Sequence, residues 1–179
     1  EGFRPEVILG ELTKEHLKET DFMVISPGIP TDAPFTNVVR EAGISIIGEI
    51  ELAYLYAQGE IAAITGTNGK TTTTTLVGEI LKAYYKEVFV VGNIGMSYAD
   101  VALDTTKETK IAAELSSFQL ETIEEFHPKV SAVLNVTPDH LNRHYTMENY
   151  AKAKLNIAKN QTKDDIILLN YDDEITREM

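Results

Sequence analysis

Cysteine is absent from the 179 residues, which removes both a disulfide framework and thiolate chemistry. Cationic side chains are scarce. The 16 Lys and Arg stand against 28 Asp and Glu, and a net charge of -12 disfavours nucleic acid and anionic membrane surfaces as partners. No apolar run approaches the roughly 18 to 20 residues that cross a bilayer, and no charged-then-apolar leader opens the chain. No internal repeat or low-complexity segment appears. Apolar residues make up 43%, enough for a real core in one good-sized domain or two small ones. The expectation is a globular, cytoplasmic monomer with no nucleic-acid or membrane partner. The chain starts at Glu1 rather than Met and closes on the charged segment Asp172 to Met179, which leads nowhere structurally. A fragment of a longer protein is expected.

What is present is an alternation. Short apolar runs at Val7 to Leu9, Phe22 to Ile25, Ile44 to Ile47, Ile61 to Thr65, Val88 to Val91, Ile111 to Leu115, Val130 to Val136 and Ile166 to Leu169 read as strands. Between them, Thr36 to Ala42, Ile50 to Ala57, Thr71 to Tyr85, Phe118 to Phe126 and Thr146 to Asn160 read as helices. Such alternation predicts an α/β fold of parallel sheets flanked by helices. A break at Gln58-Gly59 separates a first unit of about three strands from a second one. In the helix after residue 70, Leu76, Val77, Ile80, Leu81 and Tyr84 form the stripe expected to pack on the sheet.

The second unit opens on Gly66-Thr67-Asn68-Gly69-Lys70-Thr71-Thr72, between a strand and a helix. Glycines let backbone N–H groups approach phosphate oxygens, the helix start adds partial positive charge, Lys70 supplies a mobile cation, and the Thr71 hydroxyl can ligate Mg²⁺. A nucleoside triphosphate is the predicted ligand. The general phosphate-loop pattern is only partly met, because Ile64 stands where its first glycine is expected.

In open parallel sheets ligands collect at the carboxyl ends of strands. The polar residues there are Ser26-Pro27-Gly28, Gly92-Asn93-Ile94-Gly95, Glu114-Leu115-Ser116-Ser117 and Asn135-Val136-Thr137-Pro138-Asp139-His140. Glu114 interrupts an apolar run and needs a cation or a hydrogen-bonding partner if buried; exposure at the strand end is the alternative. Asp139 and His140 read either as a metal-site pair or as a helix N-terminal pair. Lys154 falls in the apolar stripe of its helix, with Met147, Tyr150, Ala151, Leu155 and Ala158, so it snorkels, pairs with an acid, or is chemically changed. Lys152 and Lys159 read as solvated charges, His16 and His127 as surface or loop residues, and His144 as a possible neighbour of His140.

These motifs resemble those of the Mur ligase family: Ser26-Pro-Gly-Ile-Pro30, Gly66-Thr-Asn-Gly-Lys-Thr71, Gly92-Asn-Ile-Gly95, Glu114-Leu-Ser-Ser-Phe-Gln-Leu-Glu121, Asn135-Val-Thr-Pro-Asp-His140 and Ala151-Lys-Ala-Lys154, all in the family's order. The resemblance implies a partial Rossmann-like, uridine-nucleotide-binding domain over 1–57. A central phosphate-loop, ATP-binding domain follows over 58–179, incomplete at its C-terminal end. It further implies an ATP-dependent, ADP-forming ligase that adds D-glutamate to UDP-N-acetylmuramoyl-L-alanine through an acyl phosphate, in cell-wall peptidoglycan synthesis. By the same resemblance, Gly66 to Thr72 hold the ATP phosphates and Lys70 stabilises the transferred group. Thr71 and Glu114 hold a first Mg²⁺, while His140 and a carbamylated Lys154 support a second. Asn93 and Ser116 contact the muramoyl-peptide end, and Ser26, Pro27 and Gly28 line the uridine side.

The resemblance also implies that the chain alone has little or no ligase activity, since family members carry a longer first domain, a longer central domain and a third domain. Other Mur ligases and folylpolyglutamate synthases share the loop and the chemistry. From a different class, a nucleotide-binding module without catalysis would keep the loop but has no need of Glu114, His140 and Lys154.

Overall fold

The computed structural model describes residues 5–179; the first four residues of the predicted first unit lie outside it. Two parallel sheets form, in keeping with the α/β expectation. The smaller pairs β1 (Phe22–Ile25) with β2 (Ser45–Gly48), in register from Phe22 opposite Ser45 to Ile25 opposite Gly48. Helix α1 (Pro34–Glu41) connects them, started by a proline whose fixed φ suits the first helical turn. Val7 to Leu9 is not a strand and has no ladder partner among the described residues, and Val7 and Leu9 are exposed.

Helix α2 (Glu49–Tyr56) leads into the larger sheet. Its further elements are β3 (Glu60–Thr65), α3 (Lys70–Tyr84), β4 (Val88–Gly92), α4 (Tyr98–Val101), β5 (Lys110–Glu114), α5 (Ser117–Leu120), β6 (Val130–Val133), α6 (Leu141–His144), α7 (Met147–Leu155), β7 (Ile166–Leu169) and α8 (Glu174–Arg177). The strand order is β4-β5-β3-β6-β7, all parallel. The chain leaves β3 toward one edge and later crosses β3 to reach the other, so the loop after β3 sits where the connections diverge.

One face of this sheet, with Ile61, Ala63, Val91, Ile111, Ala113 and Val133, joins Tyr98, Leu115, Leu120, Phe126, Tyr150 and Ile157 in the main core. The other face receives α3 at close range. Gly78 is buried there, and a Cβ on it would stand 2.4 Å from Val90 Cγ2 and 4.0 Å from the Ala112 methyl. The face of α3 that meets the sheet is therefore Thr74 and Gly78, with Val77 and Leu81 at its margin; Leu76, Ile80 and Tyr84 of the expected stripe are exposed. Only small residues fit at that separation.

Other elements differ from expectation for long-range reasons. The helix expected over 118–126 stops at Leu120, because the buried Glu51 carboxylate on α2 accepts the backbone N–H groups of Glu124, Glu125 and Phe126 at 3.0, 2.6 and 3.1 Å. Strand β6 ends at Val133 rather than Val136, since the Asn135 carbonyl turns to accept the Thr67 N–H at 2.9 Å. Helix α7 gives way at Asn156 to a 3₁₀ turn. The tail is structured as well: the Asp173 side chain caps α8 by accepting the Thr176 N–H, and it also accepts the N–H of Val136. Lys159 is exposed, as expected of a solvated charge, and its amine also donates to the Ile123 carbonyl at 2.8 Å. Among the described residues no helix is long and apolar enough to cross a membrane.

Candidate functional site

The loop between β3 and α3 is held from beneath rather than by its own turns. Gly69 takes φ +81° at the N-cap of α3, a left-handed conformation that favours glycine, and this aims the first turn of the helix at the carboxyl edge of the sheet. Asn135 clamps the loop in both directions: its Oδ1 accepts the Asn68 N–H at 2.9 Å, and its Nδ2 donates to the Asn68 carbonyl at 3.0 Å. Thr67 is tied the same way, its hydroxyl donating to the Thr137 carbonyl and accepting the Thr137 N–H at 3.0 Å. Thr71 and Thr72 are exposed on the first helical turn.

Two lysines converge on one carbonyl of this loop. Lys70 Nζ donates to Gly66 O and Thr67 O, each at 3.0 Å, and Lys154 Nζ donates to Gly66 O at 2.8 Å. Lys154 is 1% exposed and lies 4.4 Å above the Tyr150 ring. It does not snorkel. Burial pushes its pKa down to about 7, and the nearby Lys70 charge adds to the shift.

Glu114 ends β5 beside the last residues of β3 and is 1% exposed. Its Oε1 accepts from Asn93 Nδ2 at 2.9 Å, whereas its Oε2 is buried with no hydrogen-bond partner among the described residues. A buried carboxylate oxygen left bare is costly unless a cation meets it. Ser116 caps α5 in a reciprocal box with Gln119, whose side chain accepts the Ser116 N–H at 2.9 Å.

His140 is half exposed at the N-cap of α6, with φ +51°. Its ring lies 5.0 Å from that of Phe118 and 6.3 Å from that of Tyr150, and the Tyr150 hydroxyl is 3.3 Å from that of Thr67. His140 and Lys154 thus share Tyr150 as a neighbour. His144, 5% exposed, stacks on Phe118 and is 2.9 Å from Ser117 Oγ; its pKa is lowered by burial, against the opposing pull of Glu121. Ser26, Pro27 and Gly28 form a turn closed by Ile29 N–H donating to Ser26 O at 2.9 Å, and the Ile29 carbonyl is reached from α6 by Arg143. Among the described residues no cluster of three or more His, Asp or Glu side chains has the spacing to hold a metal.

Sequence reasoning passed over Asn135, Tyr150, Glu121 and Arg143 as individuals. Asn135 and Glu121 lie inside quoted motifs, and Tyr150 precedes Lys154 by one helical turn, so those carried a signal. Arg143 carried none.

A parallel sheet with a glycine-bounded loop and a helix at the diverging strand defines a phosphate-loop α/β domain. A family model described as Mur ligase middle domain matches residues 64–179, and one described as Mur ligase MurD-like, N-terminal domain matches residues 4–48. The chain belongs to the Mur ligase family. The UDP-N-acetylmuramoylalanine--D-glutamate ligase of Lachnoclostridium phytofermentans is 59% identical over 175 residues, covering 98% of this chain and 38% of that protein. The protein of the same name from Alkaliphilus metalliredigens is 57% identical, covering 97% of this chain and 38% of its own length. The chain therefore spans 38% of the curated relatives it matches here. MurF from Acinetobacter baumannii shares the fold with a TM-score of 0.55 at 22% identity, over 73% of this chain and 30% of that one.

Proposed function

We propose that this chain is the phosphate-binding part of an ATP-dependent ligase that joins D-glutamate to UDP-N-acetylmuramoyl-L-alanine in peptidoglycan synthesis, releasing ADP and phosphate. The observation that carries the reading is the buried Lys154 amine on the Gly66 carbonyl, poised near neutrality, because a neutral buried amine is what carbon dioxide addition requires. The lone pair of the neutral amine forms the N–C bond and one proton leaves; with the proton already lost from the ammonium form, two protons in all depart as a cation becomes an anion beside the phosphate loop. The names of the curated relatives support the substrates.

In this reading residues 1–57 belong to the uridine-nucleotide side and 58–179 to the ATP side. The N–H groups from Gly66 to Thr72 receive the phosphates. Lys70 leaves Gly66 O and Thr67 O for the transferred phosphoryl group, where its charge offsets that of two approaching anions. A substrate carboxylate oxygen displaces ADP from the γ-phosphorus. The D-glutamate amine then attacks the acyl carbon, and phosphate leaves with the bonding electrons.

The donor set fits Mg²⁺: the bare, buried Glu114 Oε2 is a hard oxygen ligand, to be joined by the Thr71 hydroxyl, while His140 and a carbamylated Lys154 would hold a second ion. Mg²⁺, when bound, supplies charge neutralisation between the reacting anions. Asn93 and Ser116 face the muramoyl-peptide end, and Ser26, Pro27 and Gly28 the uridine side.

Calorimetry of this chain with a Mg²⁺–ATP analogue tests the reading. Binding is expected in the wild type, with a loss of about tenfold or more in Lys70→Ala and Glu114→Ala, the scale of a removed charge-assisted contact. Intact mass in bicarbonate is expected to show one added carbon dioxide, abolished by Lys154→Met. Absence of nucleotide binding by the wild type would overturn the proposal.

A further inference from the structure

The motif residue Glu121 has no task in the chemistry above, yet it is the hub of the contacts between the two sheets' loops. Arg143 grips it with both arms, Nη2 to Oε2 at 2.6 Å and Nε to Oε1 at 3.3 Å, with the side chains only 11% and 14% exposed. The same Nη2 donates to the Ile29 carbonyl at 2.9 Å, in the turn that follows Ser26-Pro27-Gly28. Thr31 adds a longer contact to Glu121 Oε2 at 3.4 Å, and the Tyr145 hydroxyl donates to Asp32 Oδ2 at 2.7 Å. The Arg143–Glu121 pair lies within the segment 121–145, and the bonds to Ile29, Thr31 and Asp32 join it to the segment 29–32.

The element so gripped cannot hold its own shape. Helix α6 is four residues long, and both residues that flank it have positive φ: His140 at +51° and Tyr145 at +67°. A helix that short has no cooperative stability, and a bulky tyrosine in that region persists only when its surroundings impose it. His144 ties the helix to Ser117 and Phe118 on one side, and Arg143 and Tyr145 are the residues through which the loop after β1 acts on it. The Arg143 guanidinium also lies 5.1 Å over the Phe118 ring, the ring against which His140 packs. The position of His140 is thus referred, through Arg143 and Phe118, to the loop after β1.

We propose that Glu121 and Arg143 are positioning residues that lock the turn from Ile29 to Asp32 and the His140 turn into one body. The substrate-side loop and the second-metal side of the ligase read above are then set by a single ion pair. The role in ligation rests on that reading; the mechanical coupling does not.

The test uses isotope-labelled chain without metal, reading amide hydrogen exchange at Ile29 and Ala33, whose N–H groups donate to Ser26 O and Pro30 O, and the ring resonances of His140. Arg143→Lys keeps the charge but loses the fork. It is expected to raise exchange at Ile29 and Ala33 by about tenfold and to shift the His140 resonances, as the loss of a partly buried charge-assisted bond implies. Glu121→Gln is expected to do the same more weakly. Should Arg143→Lys not fold, Tyr145→Phe removes one hydroxyl from an exposed ring, and a rise of about threefold with a smaller His140 shift is expected. His140 resonances left at their wild-type positions while the loop loosens, or neither signal moving, would overturn the coupling. Failure of the wild type to bind a Mg²⁺–ATP analogue sinks the ligase reading and leaves the coupling standing, because neither readout involves nucleotide.

Discussion

The two faces of the larger sheet are both covered by helices, and they are built in opposite ways. On the face of Ile61, Ala63 and Ile111, large side chains fill a thick layer: Tyr98, Phe126 and Tyr150 are each no more than 1% exposed, and Tyr54 meets Phe126 edge-on at 5.5 Å. On the face of Ala62, Val90 and Ala112, α3 comes so near that glycine and threonine make the contact, while Leu76, Ile80 and Tyr84 point away. The thin face sets the height of the phosphate loop above the strands. The thick face sets where Lys154 lies beneath it. Distance, rather than apolar content, decides which residues of a helix are buried.

The largest expected effect comes from forcing the thin face apart. Gly78→Val places a branched side chain against Val90 Cγ2, and overpacking of this kind is expected to cost about 3 kcal/mol in urea denaturation. Gly78→Ala sharpens the comparison, since helix propensity alone would favour alanine by about 1 kcal/mol. A net loss in that variant means that contact with the sheet dominates. A net gain would show that α3 has room to move and that the thin face is not closely packed.

Much of this was legible in the chain. Strands read as short apolar runs because each is buried in a parallel ladder, and the loop from Gly66 to Thr72 announced itself through residue types that each have a task at a phosphate. Glu114 and Lys154 stood out because a charge within an apolar pattern must be resolved, and both proved buried. What failed to show was nonlocal. The end of the helix begun at Ser117 is set by Glu51, 73 to 75 residues away, and the left-handed turns at His140 and Tyr145 are set by partners in the first sheet's loops. The stripe on α3 was misplaced because periodicity locates apolar residues, not the line of closest approach.

On the thick face, Lys154→Met should be smaller in effect and opposite in sign. At pH 6 the wild-type amine is protonated, buried and paired only with carbonyl and ring, so methionine is expected to stabilise the fold by about 2 kcal/mol. The pH dependence follows from the pKa of about 7 in the folded chain against about 10.4 when unfolded. Between those values the unfolded state binds the extra proton, so wild-type stability rises with pH relative to the variant, by at most about 1.4 kcal/mol per pH unit. The advantage of methionine should be largest below pH 7, vanish at about pH 8 to 9 and reverse toward pH 10, in denaturation run without bicarbonate. A gap that stays constant with pH would mean that Lys154 does not titrate where the buried site puts it.

The smallest effect belongs to the outward side of α3. Leu76 and Ile80 are 59% and 51% exposed, so replacing them by glutamine removes little buried area, and a shift within about 0.5 kcal/mol is expected for each. Because both residues are good or fair helix formers and glutamine is comparable, propensity does not mask the result. Nucleotide affinity should also stay within about twofold, since neither side chain approaches Gly66 or Lys70 and a change of that size is well under 1 kcal/mol. A loss above about 1.5 kcal/mol, the range of a buried aliphatic side chain, would mean that these residues are packed in solution against something that shields them, and the thin face would then be thicker than its glycine contact implies.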